Sequence, residues 1–270
     1  MTMLSPLLTL YLNQFLIFVL VLTRIGALIM TLPVLGGSTI PVQIRAFLAV
    51  AVAFLIAPLH WGHQLPEIEN MGALGLLMAR EMILGLALGT SVMILLSGMQ
   101  LAGQVISQMS GLSLADVANP TFDTTVPILS QLLESVAIAL FFLLGGHRLV
   151  LAALLDSFTW LPPGAATLPD ELPMALVEVT AHSFHVGIRA SAPVMVALFL
   201  AVLVVALISR TLPQLNAVAI GLNFNAIIVP LMIAITIGSA AITFQEELGG
   251  VLQRMRDVIT DTSPAIQQTH

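Results

Sequence analysis

Residues 82–115 read MILGLALGTSVMILLSGMQLAGQVISQMSGLSLA, with no Asp, Glu, Lys or Arg among them. A helix needs roughly 20 mostly apolar residues to cross hydrocarbon. This run exceeds one crossing and carries Gln100, Gln104, Ser107 and Gln108, so the expectation is a helix that leaves hydrocarbon, or two helices around a loop. A second long run, Thr211 to Gln245, contains Gln214, Asn216, Asn223 and Asn225 and is read the same way. Four more charge-free windows, Met1 to Thr23, Ile25 to Ile44, Ala46 to Pro66 and Ala190 to Ser209, bring the hydropathy count to six. A shorter run, Ser135 to Gly146, is expected to form a helical hairpin with Leu149 to Leu155 across Gly145-Gly146-His147, since Gly-Gly punctuates a chain strongly. The fold class expected is all-α, a multi-helix membrane-associated protein with long broken helices and helical hairpins.

Composition agrees. Of 270 residues, 58% are hydrophobic and 8% charged, whereas a soluble domain carries about 25% charged residues. The eight basic residues are all arginine and scattered, against fourteen acids, for a net charge of -6. No basic patch for nucleic acid can be assembled from sequence neighbours. With no cysteine there is no disulfide framework, thiolate metal site or cysteine nucleophile. Two Trp and one Tyr make any interfacial aromatic belt thin. The N-terminus has no basic residue before Arg24 and is read as retained, not as a cleavable signal. Single arginines at 24, 45, 80, 148, 189 and 210 leave orientation undetermined by the positive-inside rule. The polar stretches are His60 to Asn70, Leu161 to Glu178, and Gln245 to His270, the last expected to be helical to about Thr260 and then a tail. Pro33, Pro41, Pro58, Pro193, Pro213 and Pro230 interrupt or border the apolar runs, and each frees a backbone carbonyl.

On a 3.6-residue period, Ser97, Gln100, Gln104, Ser107, Gln108 and Gly111 form one uncharged polar stripe on an apolar rod. It serves either hydrogen bonding to neighbouring helices or the lining of a lumen. Gly85 and Gly89 give a small-xxx-small spacing that lets two helix backbones approach closely, a pattern that also arises by chance in apolar helices. The stripe runs into Gly111-Leu-Ser-Leu-Ala-Asp-Val-Ala-Asn119-Pro120-Thr-Phe-Asp-Thr-Thr125, too irregular for a span and too apolar for a solvated loop. From Pro127 a second rod places Gln131, Glu134 and Ser135 on one face. The intervening loop suits either a constriction, tolerated at depth only beside protein or a cavity, or an ordinary extramembrane connection.

Chemistry is harder to find. Glu178, His182 and His185 share a helix face and His60-Trp-Gly-His63 repeats the H-x-x-H spacing, but no H-E-x-x-H occurs, so these are read as solvated faces and not as metal ligands. Asp116 and Asp123 share one loop and Asp156 stands apart, so no catalytic dyad is visible. Leu35-Gly36-Gly37 lacks the Lys-Ser or Lys-Thr of a phosphate loop. No catalytic residue, metal or cofactor is expected. Arg24, Arg80, Glu81, Arg189 and Arg210 are charges in or near the membrane, each marking a function or an ion pair. Arg80 and Glu81 point about 100° apart on a helix and are expected to pair elsewhere.

Ordered motifs supply more. Arg24-Ile-Gly-Ala-Leu-Ile-Met-Thr-Leu-Pro33-Val-Leu-Gly36-Gly-Ser-Thr-Ile-Pro41-Val-Gln-Ile-Arg45, Gly103-Gln-Val-Ile-Ser-Gln-Met-Ser-Gly111-Leu-Ser-Leu-Ala, and Gly146-His147-Arg148 through Asp156-Ser-Phe resemble, in order, the flagellar biosynthetic protein FliR family. So does Leu212-Pro213-Gln214-Leu-Asn216 with Gly221-Leu-Asn-Phe, and the resemblance covers about residues 10 to 260. It implies a core subunit of the flagellar type III export gate in the bacterial inner (cytoplasmic) membrane, within the flagellar basal body. The partners implied are FliP, FliQ and FlhB, and the cargo unfolded flagellar export substrates. Also implied are a FliP-like part over 1–188, a FliQ-like helical hairpin over 189–260 and a C-terminal tail over 261–270.

By the same resemblance, a plug loop at about 110–126 closes the pore. Its residues are Gly111, Leu112, Ser113, Leu114, Ala115, Asp116, Val117, Asn119 and Pro120, with Met109 beside them. Members often carry Asp where this chain has Asn119. Gly85, Gly89, Arg24, Arg80, Glu81 and Glu134 are assigned to helix packing or assembly, and Ser97, Gln100, Gln104, Ser107 and Gln108 to the lumen. The motifs after Gly146 look more flagellar than injectisome-like. The alternatives are an ion-coupled secondary transporter, though no inverted repeat is seen, or the equivalent export gate subunit of a virulence injectisome. Much of the apolar surface is then expected against sister subunits instead of lipid.

Overall fold

The computed structural model describes residues 4–33, 40–63, 65–66, 70–111, 127–164, 168–211 and 217–261. They form seven α-helices and no β-strand among the described residues, so the all-α class stands. In order these are α1 (Leu4–Thr31), α2 (Val42–Ile56) with a 3-10 turn (Ala57–His60), and α3 (Met71–Ser110). Then follow α4 (Ile128–Leu143), α5 (Gly146–Trp160), α6 (Leu172–Thr211) and α7 (Ala217–Asp261).

Local chemistry sets the ends. Pro41 and Pro127 stand directly before α2 and α4 in extended backbone, with ψ of 140° and 143°. Neither proline's missing N–H is a loss there, since the first donors of a helix have no intrahelical acceptor. Asn70 opens α3: its side-chain oxygen accepts from the Ala73 N–H at 2.8 Å, the bond a capping Asn makes. Gly145 stops α4 with φ 74°, a conformation that glycine adopts without strain.

Hydropathy misplaced several boundaries. Of the two forms expected for charge-free residues 82–115, two helices around a loop is the one not found up to Ser110, where they belong to one uninterrupted helix that starts at Met71. Of the second long run, the part from Ala217 through Pro230 onward lies in one continuous helix that ends at Asp261. Pro193 also lies inside an unbroken helix, α6. Each proline removes one donor and the turns on either side continue. The first two windows are not two spans either, because their divider, Arg24, sits inside α1. Among the described residues five helices have the length and composition to cross a bilayer, and α4 with α5 makes a sixth only when the two are taken as one helix broken at Leu144 and Gly145. The hairpin expected at Gly145-Gly146-His147 is therefore a broken pair of helices, with a two-residue turn closed by Leu144 N–H on Leu140 O at 2.9 Å and Gly145 N–H on Phe142 O at 3.0 Å.

The chain contacts divide it into two compact units. The first comprises Met1–Met93, His147–Val179 and Gly249–His270. Its core is built from Ile17, Leu20 and Leu28 of α1, Leu84 and Leu88 of α3, Leu154 and Phe158 of α5, and Val251 and Met255 of α7, all buried. The second comprises Ile94–Gly146 and Thr180–Leu248. Its core holds Leu95, Met99 and Ile106 of α3, Leu133 and Phe141 of α4, Val194 and Leu198 of α6, and Val229 and Phe244 of α7.

Candidate functional site

In the first unit one charged cluster is fully buried. Arg24 of α1 and Glu81 of α3 are both 0% exposed and meet at 2.6 Å between Nε and Oε2. An isolated charge in such a place costs several kcal/mol, so its polar atoms have to find partners. Each guanidinium nitrogen and each carboxylate oxygen has one. Arg24 Nη1 donates to the Ser157 carbonyl at 3.0 Å and to Ser157 Oγ at 3.1 Å, and Nη2 donates to the Leu161 carbonyl at 3.0 Å. Glu81 Oε1 accepts the Gly164 N–H at 3.0 Å. The guanidinium also lies over the Phe158 ring, 4.3 Å from its centroid. A planar fork of donors matches that set, and a lysine ammonium would not. Glu81 thus pairs away from its neighbour Arg80, as its helix angle required, and the motif around Gly146 to Gly164 returns to the first helix through this cluster.

Gly85 and Gly89 lie on the same stretch of α3. A Cβ on Gly85 would overlap the Arg24 carbonyl oxygen, and one on Gly89 would overlap Thr31 Oγ1. The small-xxx-small spacing therefore closes α3 onto α1 of the same chain. Arg80 is half-buried beside it, and Glu134, on α4 of the second unit, is half-buried as well.

Glycines recur along α3 in the second unit. A Cβ on Gly98 would meet the Ser183 carbonyl of α6, and one on Gly103 would meet the backbone of Leu129 and Ser130 on α4. Ser183 Oγ donates to the Ile94 carbonyl at 2.6 Å across the same contact. Between these contacts the polar stripe divides. Ser107 is buried at 2% exposure, Gln100 and Gln104 are half-buried, and Ser97 and Gln108 are exposed. Gln108, Met109 and Gly111 line a cavity of about 420 Å³ with Val205 of α6 and Leu222 and Asn225 of α7. Asn225 is nearly buried, and its Nδ2 donates to the Ser110 carbonyl at 2.9 Å, satisfying one of the orphan acceptors at the end of α3. Gly111 follows with φ 74°. Of the expected plug residues only Met109 and Gly111 are described. Leu112, Ser113, Leu114, Ala115, Asp116, Val117, Asn119 and Pro120 lie outside the described residues.

Histidines on α6 find a partner that spacing did not reveal. His182 Nδ1 and His185 Nδ1 both meet Glu247 of α7, at 2.6 and 2.8 Å. Within the first unit Glu178 takes the Arg254 guanidinium at 2.6 and 2.9 Å, and Asp156 takes Arg256 at 3.4 Å. Among the described residues no group of three or more His, Asp or Glu is placed to hold a metal ion. The i, i+4, i+7 face of Glu178, His182 and His185 is therefore spent on α7. Glu247 and Arg254, which complete it, could be suspected in advance only from their place in the polar C-terminal stretch.

The family described as bacterial export proteins, family 1, matches residues 15–251 of this chain. Flagellar biosynthetic protein FliR of Escherichia coli strain K12 is 30% identical over 74% of this chain and 76% of its own length. FliR of Caulobacter vibrioides is 27% identical over 84% and 90%, and FliR of Bacillus subtilis 26% over 90% and 94%.

Proposed function

The chain belongs to the bacterial export proteins of family 1, in its FliR group, and from that premise we propose that it is a core subunit of the flagellar type III export gate, forming part of the pore and closing it with residues 111–120. One observation carries the reading: Ser97, Gln100, Gln104 and Gln108, uncharged, exposed or half-buried, lie along the part of α3 that leads directly into that segment. An uncharged polar face suits passage of unfolded chains of any sequence, because it hydrates a lumen without binding either sign of charge strongly. FliP, FliQ and FlhB are the partners in this reading, unfolded flagellar substrates the cargo, and the bacterial inner membrane at the flagellar basal body the location.

Two features support assembly. Apolar side chains stay exposed along the second half of α6, among them Val196, Phe199, Val202, Leu203 and Leu207, with exposures between 44% and 66%. Large apolar patches of this kind mark contact with other chains or with lipid. In this reading sister subunits cover them, and the FliP-like part over 1–188 and the FliQ-like hairpin over 189–260 adjoin within α6. The subunit performs no chemistry on cargo. It gates passively, and other export components supply the energy.

Replacing residues 111–119 by a short Gly-Ser linker tests the gate. The assembled complex should then leak ions through energised membranes at a rate several-fold above the unaltered complex. Unchanged leak from a normally assembled complex would sink the plug.

A further inference from the structure

In the second unit α6 and α7 are joined by a contact between ionisable side chains. His182 Nδ1 meets Glu247 Oε2 at 2.6 Å, and His185 Nδ1 meets Glu247 Oε1 at 2.8 Å. An ionised carboxylate only accepts, so each Nδ1 carries a proton and each neutral ring keeps its lone pair on Nε2. That second nitrogen is where a further proton is taken. Glu247 is 14% exposed whereas His182 and His185 are 46% and 50% exposed, so the rings are open to water and their partner is largely shielded. Their sequence neighbours Val186 on α6 and Leu248 on α7 are buried. The other charged groups described in this unit are Arg189, four residues beyond His185 on α6, Glu246 beside Glu247 on α7, Arg210 near the end of α6, and Glu134 on α4. The unit's stretch of α3, from Ile94 to Ser110, carries none. One turn before His182 on α6, Glu178 is engaged by Arg254.

We propose that His182, His185 and Glu247 form a proton-operated clasp between α6 and α7. With both rings neutral, the cluster carries the single negative charge of Glu247 and two hydrogen bonds. A proton on either Nε2 turns one of those bonds into an ion pair with the same donor and acceptor, and cancels the charge of the cluster. A second proton meets a carboxylate that is already neutralised, with Arg189 adding positive charge on the same helix, so the two protons are taken in separate steps. Histidine is the side chain suited to change charge between about pH 5 and 8, where carboxylates and arginines ordinarily keep theirs. Glu247 attracts a charged ring more strongly than a neutral one. The contact therefore holds most firmly on the acid side and loses that extra hold as pH rises. Both hydrogen bonds persist in either state, because Nδ1–H donates in each, so the clasp slackens without being dismantled. The assignment rests on side-chain geometry within one unit and not on the gate.

The test uses the full chain in its purified membrane assembly. Deuterium uptake is followed on peptides covering residues 180–190 and 240–248, with labelling times scaled to equal intrinsic exchange at each pH. From about pH 5.5 to about pH 8, opening of these two segments should rise about two- to fivefold relative to peptides of α3, the scale set by a partly exposed ion pair. Glu247→Gln keeps an acceptor oxygen but no charge, and should abolish that dependence. Protection that is constant with pH or weaker on the acid side, or a dependence that Glu247→Gln leaves unchanged, would each overturn the proposal. Should that variant fail to assemble, His182→Gln with His185→Gln takes its place, since both positions are about half exposed and tolerate the change. A pH dependence that survives without the two rings refutes the clasp, and its disappearance supports it.

Discussion

Glu81→Gln is the sharpest perturbation this structure offers, because it changes one oxygen to an amide and removes one charge. In the intact cluster Arg24 and Glu81 meet at 2.6 Å with no exposure on either side. Glutamine keeps an oxygen for the Gly164 N–H, so that 3.0 Å bond survives. What is lost is the 2.6 Å hydrogen bond from Arg24 Nε, which now meets the amide NH2 donor against donor, together with the counter-charge of a fully buried guanidinium that Ser157 and Leu161 hold through neutral oxygens only. Breaking a buried pair from one side costs about 3–5 kcal/mol, whereas an exposed pair contributes about 0–1 kcal/mol. Against a typical total stability of about 5–15 kcal/mol, the loss is a large fraction of what holds the fold. Glu81→Ala should cost more, by about 1–3 kcal/mol, since it also strands the Gly164 N–H. Arg24→Met with Glu81→Gln should recover part of the Glu81→Gln loss by removing the unpaired charge, though the Ser157 and Leu161 carbonyls then lose a donor. The measurement is unfolding of the purified complex in mild detergent titrated with dodecyl sulfate, followed by the fraction of chain that stays protease-resistant. A loss below about 1 kcal/mol for Glu81→Gln would show that water or a neighbouring group reaches the pair, and the argument from burial would fail.

The other expectations concern backbone approach and caps. Gly89→Leu should destabilise the chain by about 1–3 kcal/mol or more, since a side chain there has no room against Thr31 of α1; the same unfolding titration reads it, and a neutral result would mean that α1 does not pack as described. Gly249→Ala goes the other way: nothing lies within 4 Å of an added Cβ there, so it should gain up to about 1 kcal/mol of helix propensity, provided no sister subunit needs that face. A stabilised free chain that no longer assembles would mark the face as an interface. Gly164→Ala forces an alanine to φ 83° against the Leu65 side chain, a strain of about 1–2 kcal/mol, and should lower the thermal midpoint of the complex. Asn225→Ala removes the 2.9 Å hydrogen bond from its Nδ2 to the Ser110 carbonyl; a loss of about 0.5–1.5 kcal/mol is expected, and faster amide exchange over the last turn of α3 would locate it.

Sequence alone determined that this is a helical membrane chain, because 8% charge over 270 residues leaves too few polar side chains for a soluble surface. Ordered motifs from Arg24 onward also pointed to its family, which the match over residues 15–251 bears out. Helix limits were legible where local chemistry sets them, at Pro41, Asn70, Pro127 and Gly145. They were misread where a charge or a proline that looked like a boundary falls inside a helix. Arg24 looked like the end of a span because its neutralising partner lies 57 residues away, and Pro193 and Pro230 looked like breaks because a window cannot see the turns that continue around them. The polar stripe on α3 was visible as a period, but which members face inward was not. Ser107 is buried and Gln108 exposed although they are adjacent, since burial depends on the neighbouring helices. The same reason separates the glycines: Gly85, Gly89, Gly98 and Gly103 are spent on close contacts within the chain, while Gly249 and Gly250 meet nothing. A sequence records which residues permit close approach or carry charge. Only the tertiary structure decides which of them are used, because a contact needs two surfaces and the sequence lists one at a time.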